Sequence, residues 1–144
     1  MAEAVHVVCP HCDGTNRVPT LRLAEGPRCG RCHDALFTGS PVALDTTRFA
    51  RHLKDGDLPL LVDFWASWCG PCRTMAPIFH EAAAALEPQV RLVKVDTEQE
   101  QGLAARYAIR SIPTLLFLRS EREVARIAGA MDLGRLVAWT RQYL

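Results

Sequence analysis

The chain has 144 residues, room for one ordinary domain of ~100–200 residues and a small appendage. Its 49% hydrophobic and 23% charged residues exclude a disordered chain, and 17 basic against 16 acidic residues leave no field to steer nucleic acid or an anionic membrane toward it. No apolar run approaches the ~18 residues of a membrane span, and Met1-Ala2-Glu3-Ala4-Val5-His6 lacks the basic and apolar regions of a secretory signal, so the expected compartment is the cytoplasm.

In a reducing compartment the six cysteines are expected to be metal ligands or redox groups, not structural disulfides. They form three Cys-x-x-Cys pairs: Cys9/Cys12, Cys29/Cys32 and Cys69/Cys72. The first two lie within residues 1–41, a stretch rich in turn-formers such as Pro10, Gly14, Pro19, Gly26 and Pro27, with thin apolar content. A unit of this size cannot bury enough surface to fold unaided and needs a staple. Cys9-Pro-His-Cys12 and Cys29-Gly-Arg-Cys32, sixteen residues apart, match the spacing of a structural zinc site, each pair forming a knuckle. His11 and His33 are spare donors, but four cysteines already complete a tetrahedron; additional redox disulfides are the other reading of these pairs. Residues 1–41 carry four arginines against Glu3, Asp13, Glu25 and Asp34, so four thiolates and one Zn²⁺ leave −4 + 2 = −2. Nucleic-acid binding is not expected on that balance.

From residue 42 the pattern alternates between helix and strand. Thr46 or Thr47 is expected to cap a helix carrying Phe49 and Leu53, closed by Gly56. Residues 60–65 read as a buried strand, 71–86 as an alanine-rich helix containing Pro77, and 90–96 as a second strand. A helix follows at 102–107, then strands at 115–118 and 124–127 around the charged turn 120–123, and a final amphipathic helix capped by Asp132. A strand–helix–strand start implies a parallel, right-handed unit, and the late strands an antiparallel hairpin. The fold class is therefore α/β, a mixed sheet flanked by helices on both faces, with domains expected at 1–41 and 42–144.

The third cysteine pair differs from the others in its placement. Cys69-Gly70-Pro71-Cys72 lies between a strand and the start of a helix, where unpaired backbone N–H groups and the helix dipole favour a thiolate by ~0.3–1 kcal/mol. Pro71 suits the first helical turn. Such a thiolate attacks a disulfide, and Cys72, one turn further on, resolves the mixed disulfide. Asp63 stands in an otherwise apolar strand, where burial would raise its pKa and make it a candidate base for Cys72, although a lone strand aspartate is as often structural. Half of a metal site is the competing reading of Cys69/Cys72, but no second ligand pair accompanies it.

Residues 60–77, LLVDFWASWCGPCRTMAP, resemble the active-site signature of the thioredoxin family, including Trp65, Trp68 and Arg73. Ile112-Pro113-Thr114 resembles the family's cis-proline loop, Lys94 its lysine beside the buried aspartate, and Gly129 the glycine beside its groove. Ser67, Ala108 and Ser111 depart from the usual residues. With the N-terminal ribbon, the whole chain is similar to the second, zinc-binding kind of bacterial thioredoxin. The resemblance implies a protein-disulfide reductase with catalytic Cys69, Cys72, Asp63 and Lys94, and a substrate groove at Trp65, Trp68, Gly70, Pro71, Ile112, Pro113 and Gly129. It implies one zinc on Cys9, Cys12, Cys29 and Cys32, electrons from an NADPH- and flavin-dependent thioredoxin reductase, oxidised proteins as substrates, and a monomer. A disulfide oxidant or isomerase, and a ribbon-based scaffold or holdase, are the alternative functions.

Overall fold

A computed structural model describes residues 3–144. The ribbon begins with a hairpin, β1 (Ala4–Val8) against β2 (Thr15–Pro19), followed by a 3₁₀ turn at Thr20–Arg22. Strand β3 (Val42–Ala43) then enters a five-stranded sheet with β4 (Leu60–Trp65), β5 (Arg91–Asp96), β6 (Thr114–Arg119) and β7 (Arg122–Ala128). The spatial order is β3-β5-β4-β6-β7, with β3, β5 and β4 parallel and β6 and β7 antiparallel. Among the described residues, four α-helices complete the fold: α1 (Thr46–Asp55), α2 (Gly70–Leu86), α3 (Gln101–Arg106) and α4 (Leu133–Arg141). No helix among the described residues is long and apolar enough to cross a membrane.

Strand alternation builds two cores. Leu60, Val62 and Phe64 of β4 pack with Val93 and Val95 of β5 against Phe49 and Leu53 of α1 and Leu103 of α3. Leu61 and Leu92 point the other way, against Met75, Phe79 and Ala82 of α2 and Leu136 of α4. Asp63 and Lys94, in register on adjacent parallel strands, share that second face by the period of two.

The mixed α/β architecture is as expected, with two local differences. Asp45, not Thr46 or Thr47, caps α1, accepting the Arg48 N–H at 2.8 Å. Thr46 instead gives its N–H and hydroxyl to Glu100. The charged turn is also tighter than 120–123. Ser120 and Glu121 alone connect β6 to β7, both at positive φ (52° and 66°), the primed-turn conformation that a two-residue hairpin requires. Asp132 caps α4 as its position suggested, accepting from the Arg135 N–H.

Candidate active site and metal centre

Cys69 is the N-cap of α2, and the Cys72 N–H points at its Sγ at 3.2 Å. The two residues are joined in a disulfide with Cα atoms 5.2 Å apart, and both are buried. The approach to the pair is held from behind. The Trp65 carbonyl accepts from both the N–H and the hydroxyl of Thr97, and Arg73 donates to the Ser67 carbonyl. Gly70 and Pro71 are exposed in the first turn of α2.

On the strand face that Leu61 turns to α2, Asp63 is fully buried and neither carboxyl oxygen has a hydrogen-bond partner among the described residues. Burial pushes its pKa up to about 7, against the opposing pull of the Lys94 ammonium. That ammonium sits 4.7 Å from the Trp65 ring centroid. A carboxyl that ionises near neutrality can exchange a proton with a thiol, whereas an ordinary aspartate holds no proton there.

The loop after α3 closes the front. Ile112–Pro113 is a cis peptide, the Ile112 carbonyl lies 3.7 Å from Cys69 Sγ, and Gly129, at φ 97°, donates its N–H to Pro113 O. Trp68 is 65% exposed, with its indole N–H on Glu98. Trp68 and Ile112 line one 190 Å³ cavity together with Ile109, Arg110 and Ser111. Trp65 is set apart from them: it lines a different, 430 Å³ cavity with Lys94, Asp96 and Arg48.

In the ribbon, the two knuckles repeat one turn. Cys9 N–H bonds to Gly14 O and Asp13 N–H to Cys9 O; Cys29 N–H bonds to Asp34 O and His33 N–H to Cys29 O. The residue after each second cysteine, Asp13 or His33, has positive φ (61° and 70°), a conformation that aspartate and histidine adopt more readily than most side chains. All four Sγ atoms lie within 4.8 Å of one another, with Cys9–Cys32 and Cys12–Cys29 at 3.6 Å. A tetrahedral zinc with Zn–S of ~2.3 Å sets sulfurs ~3.8 Å apart, so the donor set fits the ion. Backbone N–H groups of His11, Gly14 and Arg31 point at the sulfurs at 3.3–3.4 Å. The Cys32 N–H, with the Asn16 amide and the Arg31 N–H, holds the Cys29 thiol down to about 6. Burial and the neighbouring sulfurs push Cys32 up to about 12 and burial raises Cys9, so without a cation the cluster favours one thiolate over four. His11 and His33 are outside the cluster.

A family model described as thioredoxin matches residues 40–142. The chain belongs to the thioredoxin family. It is accordingly a thiol–disulfide oxidoreductase. A second model, described as the N-terminal part of thioredoxin 2 and as a zinc ribbon, matches residues 8–34. Thioredoxin C-3 from Corynebacterium nephridii is 44% identical over 96% of this chain and 94% of its own length. A Synechocystis thioredoxin is 41% identical over 75% of this chain and 100% of its own. The Malassezia sympodialis thioredoxin structure superposes with a TM-score of 0.67 at 30% identity, covering 74% of this chain and 92% of that one.

The seam between ribbon and thioredoxin fold uses residues that the sequence reading passed over. Asp13 accepts both Nε and an NH₂ group of Arg48 at 2.8–2.9 Å and faces Nε2 of buried His52 at 2.9 Å. Arg91, 2% exposed, donates to the carbonyls of Val8 and Leu36, pairs with Glu87, and lies over the Phe37 ring. The signal for Arg91 was present: in VRLVKVD it shares a strand face with Val93 and Val95, so it had to be covered.

Proposed function

We propose that the chain is a protein-disulfide reductase in which residues 42–144 carry the reaction and residues 1–41 form a ribbon held by one structural zinc. The observation that carries this reading is the buried cysteine pair at the N-terminus of α2, with a buried, unpartnered Asp63 of pKa about 7 on the preceding strand.

The Cys69 thiolate attacks one sulfur of a protein disulfide; that S–S bond breaks, and the leaving sulfur departs as a thiolate that takes up a proton. Asp63, with the Lys94 ammonium as counter-charge, accepts the proton of Cys72. The Cys72 thiolate then attacks Cys69 Sγ, which expels the second substrate thiolate and leaves the Cys69–Cys72 disulfide. The substrate has gained two electrons and two protons. A flavin-dependent thioredoxin reductase returns the two electrons from NADPH. An extended substrate segment pairs with the Ile112 backbone as an added strand beside Pro113, Gly129 and Trp68, over the turn formed by Gly70 and Pro71, with Trp65, whose ring carries the Lys94 ammonium, at the far end of the groove. This chemistry suits the reducing cytoplasm.

Zinc, held by Cys9, Cys12, Cys29 and Cys32, supplies a closed structural cross-link and no reaction step. Metal analysis of the reduced protein should give one zinc per chain, and Cys29→Ser/Cys32→Ser should give none. A wild-type protein purified under reducing, metal-replete conditions with no zinc overturns the ribbon assignment. For the reaction, the Cys69/Cys72 couple should equilibrate well below the cytosolic glutathione poise, and the protein should reduce insulin with NADPH and thioredoxin reductase. A potential well above that poise would instead make it an oxidant or isomerase.

A further inference from the structure

A groove on the ribbon takes no part in the redox chemistry. It encloses 580 Å³ and is lined by residues 16–19 of β2 together with Arg22, Glu25 and Arg28. Strand β2 forms one edge of a two-stranded sheet. The far side of β1 is turned to the thioredoxin fold, where His6 O accepts the Asp57 N–H and Val8 O accepts from Arg91. The outer edge of β2 is therefore the side left open; it offers the N–H and C=O of Thr15 and Arg17 and the C=O alone of Pro19, a short ladder that another strand can match.

The charge around this edge is net positive, three arginines against Glu25. Among the described residues, the Arg17 and Arg22 side chains make no hydrogen bond or ion pair, and the Arg28 side chain donates to the His33 carbonyl alone. Glu25 also lines the groove, and among the described residues it forms no ion pair with any of the three. By contrast Arg48, Arg91 and Arg126 each face a carboxylate. The groove is also built stiff. Asn16 of β2 accepts the Gly30 N–H at 2.8 Å and gives its own amide to Gly14 O at 3.2 Å and toward Cys29 Sγ, which ties the strand to both knuckles.

We propose that this groove docks an extended, acidic polypeptide segment of a partner protein, which adds to β2 as a third strand with its carboxylates on Arg17, Arg22 and Arg28. The strand edge favours a polypeptide over a nucleic acid, because its backbone ladder has no use for a sugar–phosphate chain, and the zinc-loaded ribbon near −2 repels a long polyanion. A short acidic segment meets only the local arginines.

The test uses the full-length, zinc-loaded protein and a fluorescein-labelled ten-residue peptide alternating glutamate and valine, at low salt. Anisotropy should show saturable binding, with amide shifts at residues 15–18 and 22–30 apart from Pro27, and slowed hydrogen exchange at Thr15 and Arg17. Arg17→Glu/Arg28→Glu should weaken binding about tenfold and favour a lysine–valine peptide instead. That variant should reduce insulin at the wild-type rate, so the docking proposal and the reductase reading fail separately. No binding, equal binding of the lysine–valine peptide, shifts confined to the Trp68–Ile112 groove, or tighter binding of a single-stranded oligonucleotide of equal charge would each overturn it.

Discussion

Replacing Cys69 by serine should lower insulin-disulfide reduction to the rate of the buffer dithiol alone, with helix α2 intact. The second half of that expectation makes the first half informative. Cys69 is the N-cap of α2, and its Sγ faces the Cys72 N–H. Serine is among the preferred N-cap residues, so its Oγ can take the same N–H and the helix start survives. What is lost is the thiolate, since a serine hydroxyl near its free pKa is a weak nucleophile. Cys72→Ala separates the two chemical steps: the first attack remains, resolution does not, and Cys69 should accumulate as mixed disulfides that denaturing gels resolve and dithiothreitol releases. Cys72 is buried, so alanine there removes little more than the sulfur. Insulin reduction retained in Cys69→Ser would remove Cys69 as nucleophile, and the absence of any trapped species in Cys72→Ala would place the resolving thiol elsewhere.

The fold was legible where burial and periodicity agree. The 60–65 strand ends at the residues expected because five apolar or aromatic positions admit a single intruder, Asp63, and that intruder is the buried acid. The three Cys-x-x-Cys pairs differ in their surroundings as the sequence implied: two lie in turn-rich sequence and cluster together, and one opens a helix. Elements whose form depends on distant partners were not legible. Strand β3 has two residues, too short for any period, and exists because Val42 and Ala43 pair with β5. The β1–β2 hairpin holds alternating valines, but its register comes from a knuckle rather than a turn motif. The site followed the same division. Cys69, Cys72 and Asp63 announce themselves by local context, whereas the Asp13–Arg48–His52 contact joins residues 35 to 39 positions apart, and no local pattern carries it. Trp65 and Trp68 look alike in sequence, three residues apart, yet line different cavities because one closes a strand and the other rides an exposed loop.

Asp63→Asn should make the protein more stable and slower at once. In the folded chain this carboxyl is raised from 3.8 to about 7 by burial. Between those values the folded state holds a proton that the unfolded state has released, so stability falls as pH rises through this window. Above pH 7 both states are ionised, and the cost is complete: about 4 kcal/mol for a shift of roughly three units at ~1.36 kcal/mol each. Below pH 4 both states are protonated and the cost vanishes. Asparagine never ionises, so unfolding in urea should show the variant ahead by about 4 kcal/mol at pH 8 and about 2 at pH 5, in line with that linkage. Comparing variant with wild type at each pH cancels proton uptake by the ribbon cysteines, which both share. The gain in stability comes with a kinetic loss, because Cys72 then has no buried acceptor for its proton. Single-turnover decay of the mixed disulfide should slow by about 10²-fold, the ordinary worth of a positioned base, and its pH profile should lose the inflection near 7. Parallel stability curves would show that Asp63 is hydrated or paired in solution. An unchanged decay rate would leave it a structural acid, and Cys72 would have to discharge its proton directly to water.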